Sequence, residues 1–144
     1  MDGLTNKCNV VKIYVDERNS ESSVLVKCGN CGPFLIFDSH DVRPQEGDNC
    51  VLKIEYLGEK QPLVVKAKKK KVLIKNVRWE NNQIIPKIIE AQGEIIKIVR
   101  KGKNFAEVYV DLGGIYIFAT IRQKKVKIGD YLKFWNVDFG SIEK

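Results

Sequence analysis

Apolar and polar residues alternate along Asn9–Asp16, and runs of the same kind return at Ser23–Lys27, Phe34–Asp38 and Asn49–Tyr56. A two-residue period puts successive side chains on opposite faces of an extended chain, so each run predicts a β-strand. Polar or glycine-bearing turns separate them: Glu17–Ser22, a Gly-containing turn before Phe34, and a turn at Pro44 and Gly47-Asp48. Later in the chain the sequence predicts strands at Gly93–Val99, Phe105–Leu112, Ile115–Ile121 and Tyr131–Asp138. Their turns fall at Arg100–Lys103, at Gly113-Gly114, and in a basic loop from Arg122 to Lys127 leading into Gly129-Asp130. Glycine tolerates φ > 0 and aspartate bonds back to turn amides, so Gly47, Asp48, Gly113, Gly114, Gly129 and Asp130 read as structural turn residues.

The two sets of strands are related. Sliding the chain by 82 positions aligns residues 13–58 with 95–140, pairing Ile13 with Ile95, Gly47-Asp48 with Gly129-Asp130, and Gly58 with Gly140. The expected organisation is therefore one domain over residues 1–144, with half-repeats 9–58 and 93–140 and an inter-half segment 59–92. Within that segment Val72–Val77 and Ile84–Ile89 predict added strands. A repeat of this length is too short to close a barrel with its own core, whereas two could close one and remove the exposed edges. The expectation is an all-β, eight-stranded antiparallel barrel made of two pseudo-symmetric four-stranded halves.

Composition supports strands over helices: 16 Ile and 16 Val stand against 9 Leu and 4 Ala, and branching at Cβ favours the pleated conformation. The 20 lysines, with few Gln and Ala, lean towards a thermophile's composition. The net charge of +7 is unevenly spread, at −4 over residues 1–59 and +11 over 60–144. Seven lysines lie from Lys60 to Lys75, with Lys68, Lys69, Lys70 and Lys71 consecutive. Such a run reads either as a solvated edge or as a surface that meets a polyanion. No apolar run approaches the ~20 residues of a membrane helix, and the opening MDGLTNKC lacks a leader pattern, so a cytoplasmic protein with no membrane partner is expected.

The stretch Gly93-Glu94-Ile95-Ile96-Lys97-Ile98, followed by Val108-Tyr109-Val110-Asp111-Leu112-Gly113-Gly114-Ile115-Tyr116-Ile117, resembles the small OB-fold subunit of archaeal and eukaryotic RNA polymerases, the family to which eukaryotic subunit eight belongs. The piece Val126–Trp135 is similar to its late short strand, and Phe34–Asp38 through Gly47-Asp48 and Val51–Ile54 to the matching part of its first half. The resemblance implies an OB-like eight-stranded barrel and a non-catalytic assembly subunit docked on a large polymerase subunit. Two features depart from the family pattern: the basic, partly apolar inter-half segment and Cys28-Gly29-Asn30-Cys31.

Cys28 and Cys31 have the spacing and trailing glycine of a zinc knuckle, and a full metal site would need Cys8 and Cys50 to converge on them. A hairpin centred between Asn19 and Ser20 would set Cys8 opposite Cys31 and Val11 opposite Cys28. Zinc on the four thiolates, a Cys8–Cys31 disulfide, and four small buried thiols remain the alternatives, with no other cofactor implied.

No catalytic constellation appears. The one histidine, His40, sits in the polar segment Ser39-His40-Asp41, and no phosphate loop, HExxH or GxSxG pattern occurs. Beside the docked subunit stand two other readings. One is an autonomous OB-fold protein binding single-stranded DNA or RNA, with Tyr109, Tyr116, Phe118 and Trp135 stacking bases. Lys68–Lys71, Lys124, Lys125 and Lys127 would then meet phosphates. The other is a zinc-stabilised adaptor. Against stacking, Tyr116 and Phe118 share one face of a strand, and in an all-β domain such a face more often belongs to the core.

Overall fold

The computed structural model describes residues 4–15, 22–38, 44–58, 60–78, 83–122 and 125–143. These residues form eleven strands and no helix: β1 (Asn6–Val15), β2 (Ser22–Cys28), β3 (Cys31–Asp38), β4 (Asn49–Tyr56), β5 (Leu63–Val65), β6 (Lys71–Arg78), β7 (Ile84–Lys101), β8 (Ala106–Asp111), β9 (Tyr116–Ile121), β10 (Tyr131–Val137) and β11 (Phe139–Glu143). Among them no helix is long and apolar enough to cross a membrane.

The all-β barrel character holds, but closure is achieved differently from the eight-stranded expectation. Five strands close a ring in the order β1–β2–β3–β11–β4 and back to β1. The fifth member is the chain's last strand, β11, parallel to β3 and antiparallel to β4. The sequence hides it because Asn136, at φ 54, and Asp138 interrupt what reads as one apolar run to the C-terminus. Beyond the ring the path continues from β4 through β9, β8, β7 and β10 to β5, with β6 on the other side of β7. Here β4 lies parallel to β9, a second departure from a purely antiparallel barrel.

One apolar interior runs through both parts. Val10, Val24, Val26, Phe34, Ile36, Leu52, Ile54 and Ile142 fill the ring, and Ile95, Val108, Val110, Ile117, Ala119, Ile121, Leu132 and Phe134 continue the same cluster. β4 is the shared wall: Tyr56 at its end meets Phe134 of β10 edge-on, centroids 5.0 Å apart. β4, β8 and β9 bury alternate residues, as the two-residue period requires.

The Gly-Asp turns recur in hydrogen-bond detail. Gly47 donates to the Val10 carbonyl (2.7 Å) and Val10 N–H to that of Asp48 (2.9 Å); Gly129 donates to Ile95 (2.9 Å) and Ile95 N–H to Asp130 (2.8 Å). Each aspartate closes its own turn, Asp48 accepting from Gln45 N–H (2.8 Å) and Asp130 from Lys127 N–H (3.0 Å). A register shift follows both contacts, between Val10 and Lys12 and between Ile95 and Lys97. The partner of Ile95 is thus Val10, not Ile13; the gapless slide misplaced the first strand by three residues.

The register of β1 against β2 also corrects the cysteine geometry. Asn9 pairs with Lys27 and Val10 with Val26, which sets Cys8 across from Cys28 rather than Cys31. Val11 sits at the bulge and faces neither. Cys8 and Cys28 form a disulfide with Cα atoms 4.1 Å apart.

Candidate nucleic-acid interface

β8 and β9 bury Ala106, Val108 and Val110 together with Ile117, Ala119 and Ile121. Their alternate residues therefore face outward, and these are Glu107, Tyr109 and Asp111 on β8, with Tyr116, Phe118 and Thr120 on β9. Tyr109 is paired directly with Phe118, their ring centroids 5.2 Å apart and planes tilted by 60°. Both rings and Tyr116 are half-exposed. This corrects the expectation that the Tyr116/Phe118 face is core: the interior takes the small and branched residues of the strand and leaves the aromatics outside.

The neighbouring strands extend this face. Lys97 of β7 lies opposite Tyr109 and is exposed, and Glu55 of β4 lies beside Phe118. Tyr116 is held by the buried Asn6 of β1: its N–H donates to Asn6 Oδ1 (2.7 Å), and Asn6 Nδ2 donates to its carbonyl (2.9 Å). Asn6 carried no signal in the sequence, because its role depends on β1 and β9 meeting 110 residues apart.

The lysine run lies at the edge of the same face. Gln92, buried on β7, donates to the carbonyls of Ala67 (3.1 Å) and Lys69 (2.9 Å) and so pins the segment to the sheet. Lys70 then reaches Asp111 (2.9 Å) and Glu94 (3.5 Å), and Lys71 reaches Glu90 (3.1 Å). Lys68 and Lys69 are exposed. The run therefore divides, two lysines neutralising carboxylates of the sheet and two facing solvent. Glu107 is likewise covered by Arg100 (2.6 Å), and Glu90 also by Lys133 (2.9 Å).

Asp111 is the hub. Its Oδ1 accepts from the amides of Gly113 and Gly114, each at 2.9 Å, and both glycines have φ near +100°, at 107° and 96°. Burial pushes the Asp111 carboxyl up, but these amides and the Lys70 ammonium outweigh it and hold the group below its ordinary range. The same hydrogen bond raises Lys70, so both stay charged.

Other candidates fall elsewhere. Trp135 projects from β10, capped by Lys60 with Nζ 3.9 Å from the ring centroid and flanked by Lys133 at 5.6 Å. Lys125 and Lys127 are exposed in the β9–β10 connection. Lys124 and His40 lie outside the described residues. The proposed metal set does not assemble: Cys8 and Cys28 are oxidised together, and among the described residues no group of three or more His, Cys, Asp or Glu is placed to hold a metal ion. Cys31 and Cys50 lie outside the disulfide.

Comparison of the chain with protein-family models, with curated proteins and with solved structures finds no match.

Proposed function

We propose that the protein binds single-stranded nucleic acid across the outer face of β8 and β9. The observation that carries this reading is the outward, half-exposed pair Tyr109–Phe118, with Tyr116 two residues along the same strand. Aromatic faces stack bases of any sequence, each worth about 1–3 kcal/mol. Positions two apart on a strand are about 6.6–6.8 Å apart, so successive bases of an extended strand can reach Phe118 and Tyr116. Charge is consistent with this: Glu107 is paired with Arg100, and Asp111 and Glu94 share Lys70, which leaves Lys97, Lys68 and Lys69 to meet phosphates. The strand order supports it further. β7, β8 and β9 occupy the places of β1, β2 and β3, with β4 in the parallel slot that β11 fills in the ring. First–second–third–fifth–fourth closure is the arrangement of OB barrels, in which strands two and three carry oligonucleotides.

The test is fluorescence anisotropy with labelled oligo-dT and oligo-rU across a salt series. Binding is expected at low salt, falling steeply as salt rises. Replacing both Tyr109 and Phe118 by alanine is expected to weaken it by about tenfold or more. No binding at low salt, or an unchanged affinity in the folded double variant, overturns the reading.

A second reading is a non-catalytic subunit of a DNA-dependent RNA polymerase. It rests on the resemblance of the two half-repeats and on β5, which ends the hydrogen-bonded path with Leu63 50% and Val64 45% exposed. An unpaired apolar edge is a place for a partner's strand. Affinity purification from native extract tests it; failure to recover large polymerase subunits removes it.

A further inference from the structure

The four cysteines stand in one row across four neighbouring strands. Cys50 of β4 is paired with Cys8 of β1, Cys8 is bonded to Cys28 of β2, and Cys28 is paired with Cys31 of β3 across the two-residue turn Gly29-Asn30. Side chains of directly opposed residues share a face, with Cα atoms about 4.5–5.5 Å apart. Disulfides span such distances, so the existing bond has a further sulfur beside it on the strand next to Cys28. Cys31 is half-exposed and, with Cys28, lines an open cleft between the tips of the β2–β3 and β8–β9 hairpins.

We propose that Cys28 and Cys31 form a thiol–disulfide exchange site whose substrate is the protein's own Cys8–Cys28 bond. Cys31 loses its proton to solvent, and its thiolate attacks Cys28 Sγ. The Sγ–Sγ bond to Cys8 breaks, and Cys8 leaves as a thiolate and takes up a proton. One sulfur–sulfur bond forms as one breaks, so the step is redox-neutral and needs no co-reactant. Burial raises the Cys31 thiol above its ordinary value, which makes the step slow rather than absent. The crosslink thereby moves from β1–β2, where it ties two strands of the ring together, to the two ends of the β2–β3 turn. The ring loses its covalent tie without any loss of oxidation.

Cys50, with Cys8, lines a second open cleft, but Cys50 is buried whereas Cys31 is half-buried, so attack by Cys31 on Cys28 is preferred over attack by Cys50 on Cys8.

Non-reducing peptide mapping tests the proposal. The native protein is incubated in mildly alkaline buffer, quenched with acid, and alkylated. Wild type is expected to give a second species with Cys28 joined to Cys31 and Cys8 alkylated. Cys31→Ser is expected to give the Cys8–Cys28 species alone, and Cys50→Ser to behave as wild type. Recovery of only Cys8–Cys28 from wild type overturns the proposal. The Cys8→Ser variant, its folding checked by thermal melting, gives an independent arm: treated with hydroxyethyl disulfide, it is expected to close Cys28–Cys31. A folded Cys8→Ser protein in which both thiols stay alkylatable after that treatment overturns it equally.

Discussion

The row that follows the bulge differs in chemistry between the two halves while its geometry is kept. In the first half it reads Lys12–Leu25–Leu35, and in the second Lys97–Tyr109–Phe118. Both middle pairs point away from the barrel interior. Leu25 and Leu35 are nonetheless buried, at 8% and 1% exposure, because β3 is overlain by β7, whose Ile85 is fully buried too. Tyr109 and Phe118 are only half-buried, with no strand overlying them among the described residues. A shared backbone plan thus yields one face sealed by the protein's own hairpin and one left open, and the residue types follow the cover. Aliphatics sit where burial is complete, aromatics where one side remains wet.

The sharpest way to break this comparison is to truncate the matching residue in each half. Leu35→Ala is expected to cost about 2–5 kcal/mol, the range for a fully buried leucine. Phe118→Ala, losing mainly its contact with Tyr109, is expected to cost about 1 kcal/mol. Urea unfolding of both variants measures the difference. Equal losses would mean that the β8–β9 face is packed as tightly as the β2–β3 face and is no platform.

The next largest difference is covalent. Only the first half carries a crosslink, joining cysteines 20 positions apart, which chain-entropy reasoning values at about 3 kcal/mol. Reduction is expected to lower the melting temperature, and hydrogen exchange should quicken first in β1 and β2. Uniform loosening of both halves would show that the tie acts on the whole barrel.

The smaller test is of likeness. Asp48 and Asp130 accept the same amide in the same turn, so Asp48→Ala and Asp130→Ala are each expected to cost about 1 kcal/mol, the ordinary value of one such bond. A large inequality would mean that the turns repeat in shape but not in load.

These contrasts mark how far the sequence reaches. The strand runs, the Gly-Asp turns and the β-branched bias were legible, since each depends on residues close together in the chain. The fifth ring strand was not, because β11 is defined by strands β3 and β4 that lie about a hundred positions earlier. The Cys8 partner was missed for a smaller reason. The expected hairpin centre would set Lys12 opposite Lys27, but Lys12 pairs with Leu25, two residues out, and a one-residue bulge at Val11, invisible in an alternating pattern, adds the third. The aromatic face was misjudged because alternation says which residues share a side, not which side is covered. Asn6 and Gln92 gave no signal, since a single buried amide has no period.

The last and smallest expected effect concerns Asp111, whose first-half counterpart position, Lys27, carries no carboxylate. In the folded protein its carboxyl lies below the ordinary value of 3.8. Burial opposes this, and the Gly114 and Gly113 amides and Lys70 overcome it. A lowered folded value means that the unfolded chain binds the proton first as pH falls. The contribution is therefore complete above about pH 4 and drains away below it as the folded carboxyl protonates. Protection of the Gly113 and Gly114 amides from hydrogen exchange, relative to their intrinsic rates, should fall over that interval. In Asp111→Asn, which keeps an oxygen for the two amides, that protection should no longer change with acid. The same substitution removes a carboxylate and leaves Lys70 with only Glu94. Lys70 can then meet a phosphate, and the salt dependence of oligonucleotide binding should steepen by up to about 0.7 in log–log slope. Identical acid profiles in the two proteins would remove Asp111 as the group that braces the β8–β9 turn. An unchanged salt slope would mean that Lys70 stays bound to the sheet through Glu94 and takes no part in meeting the polyanion.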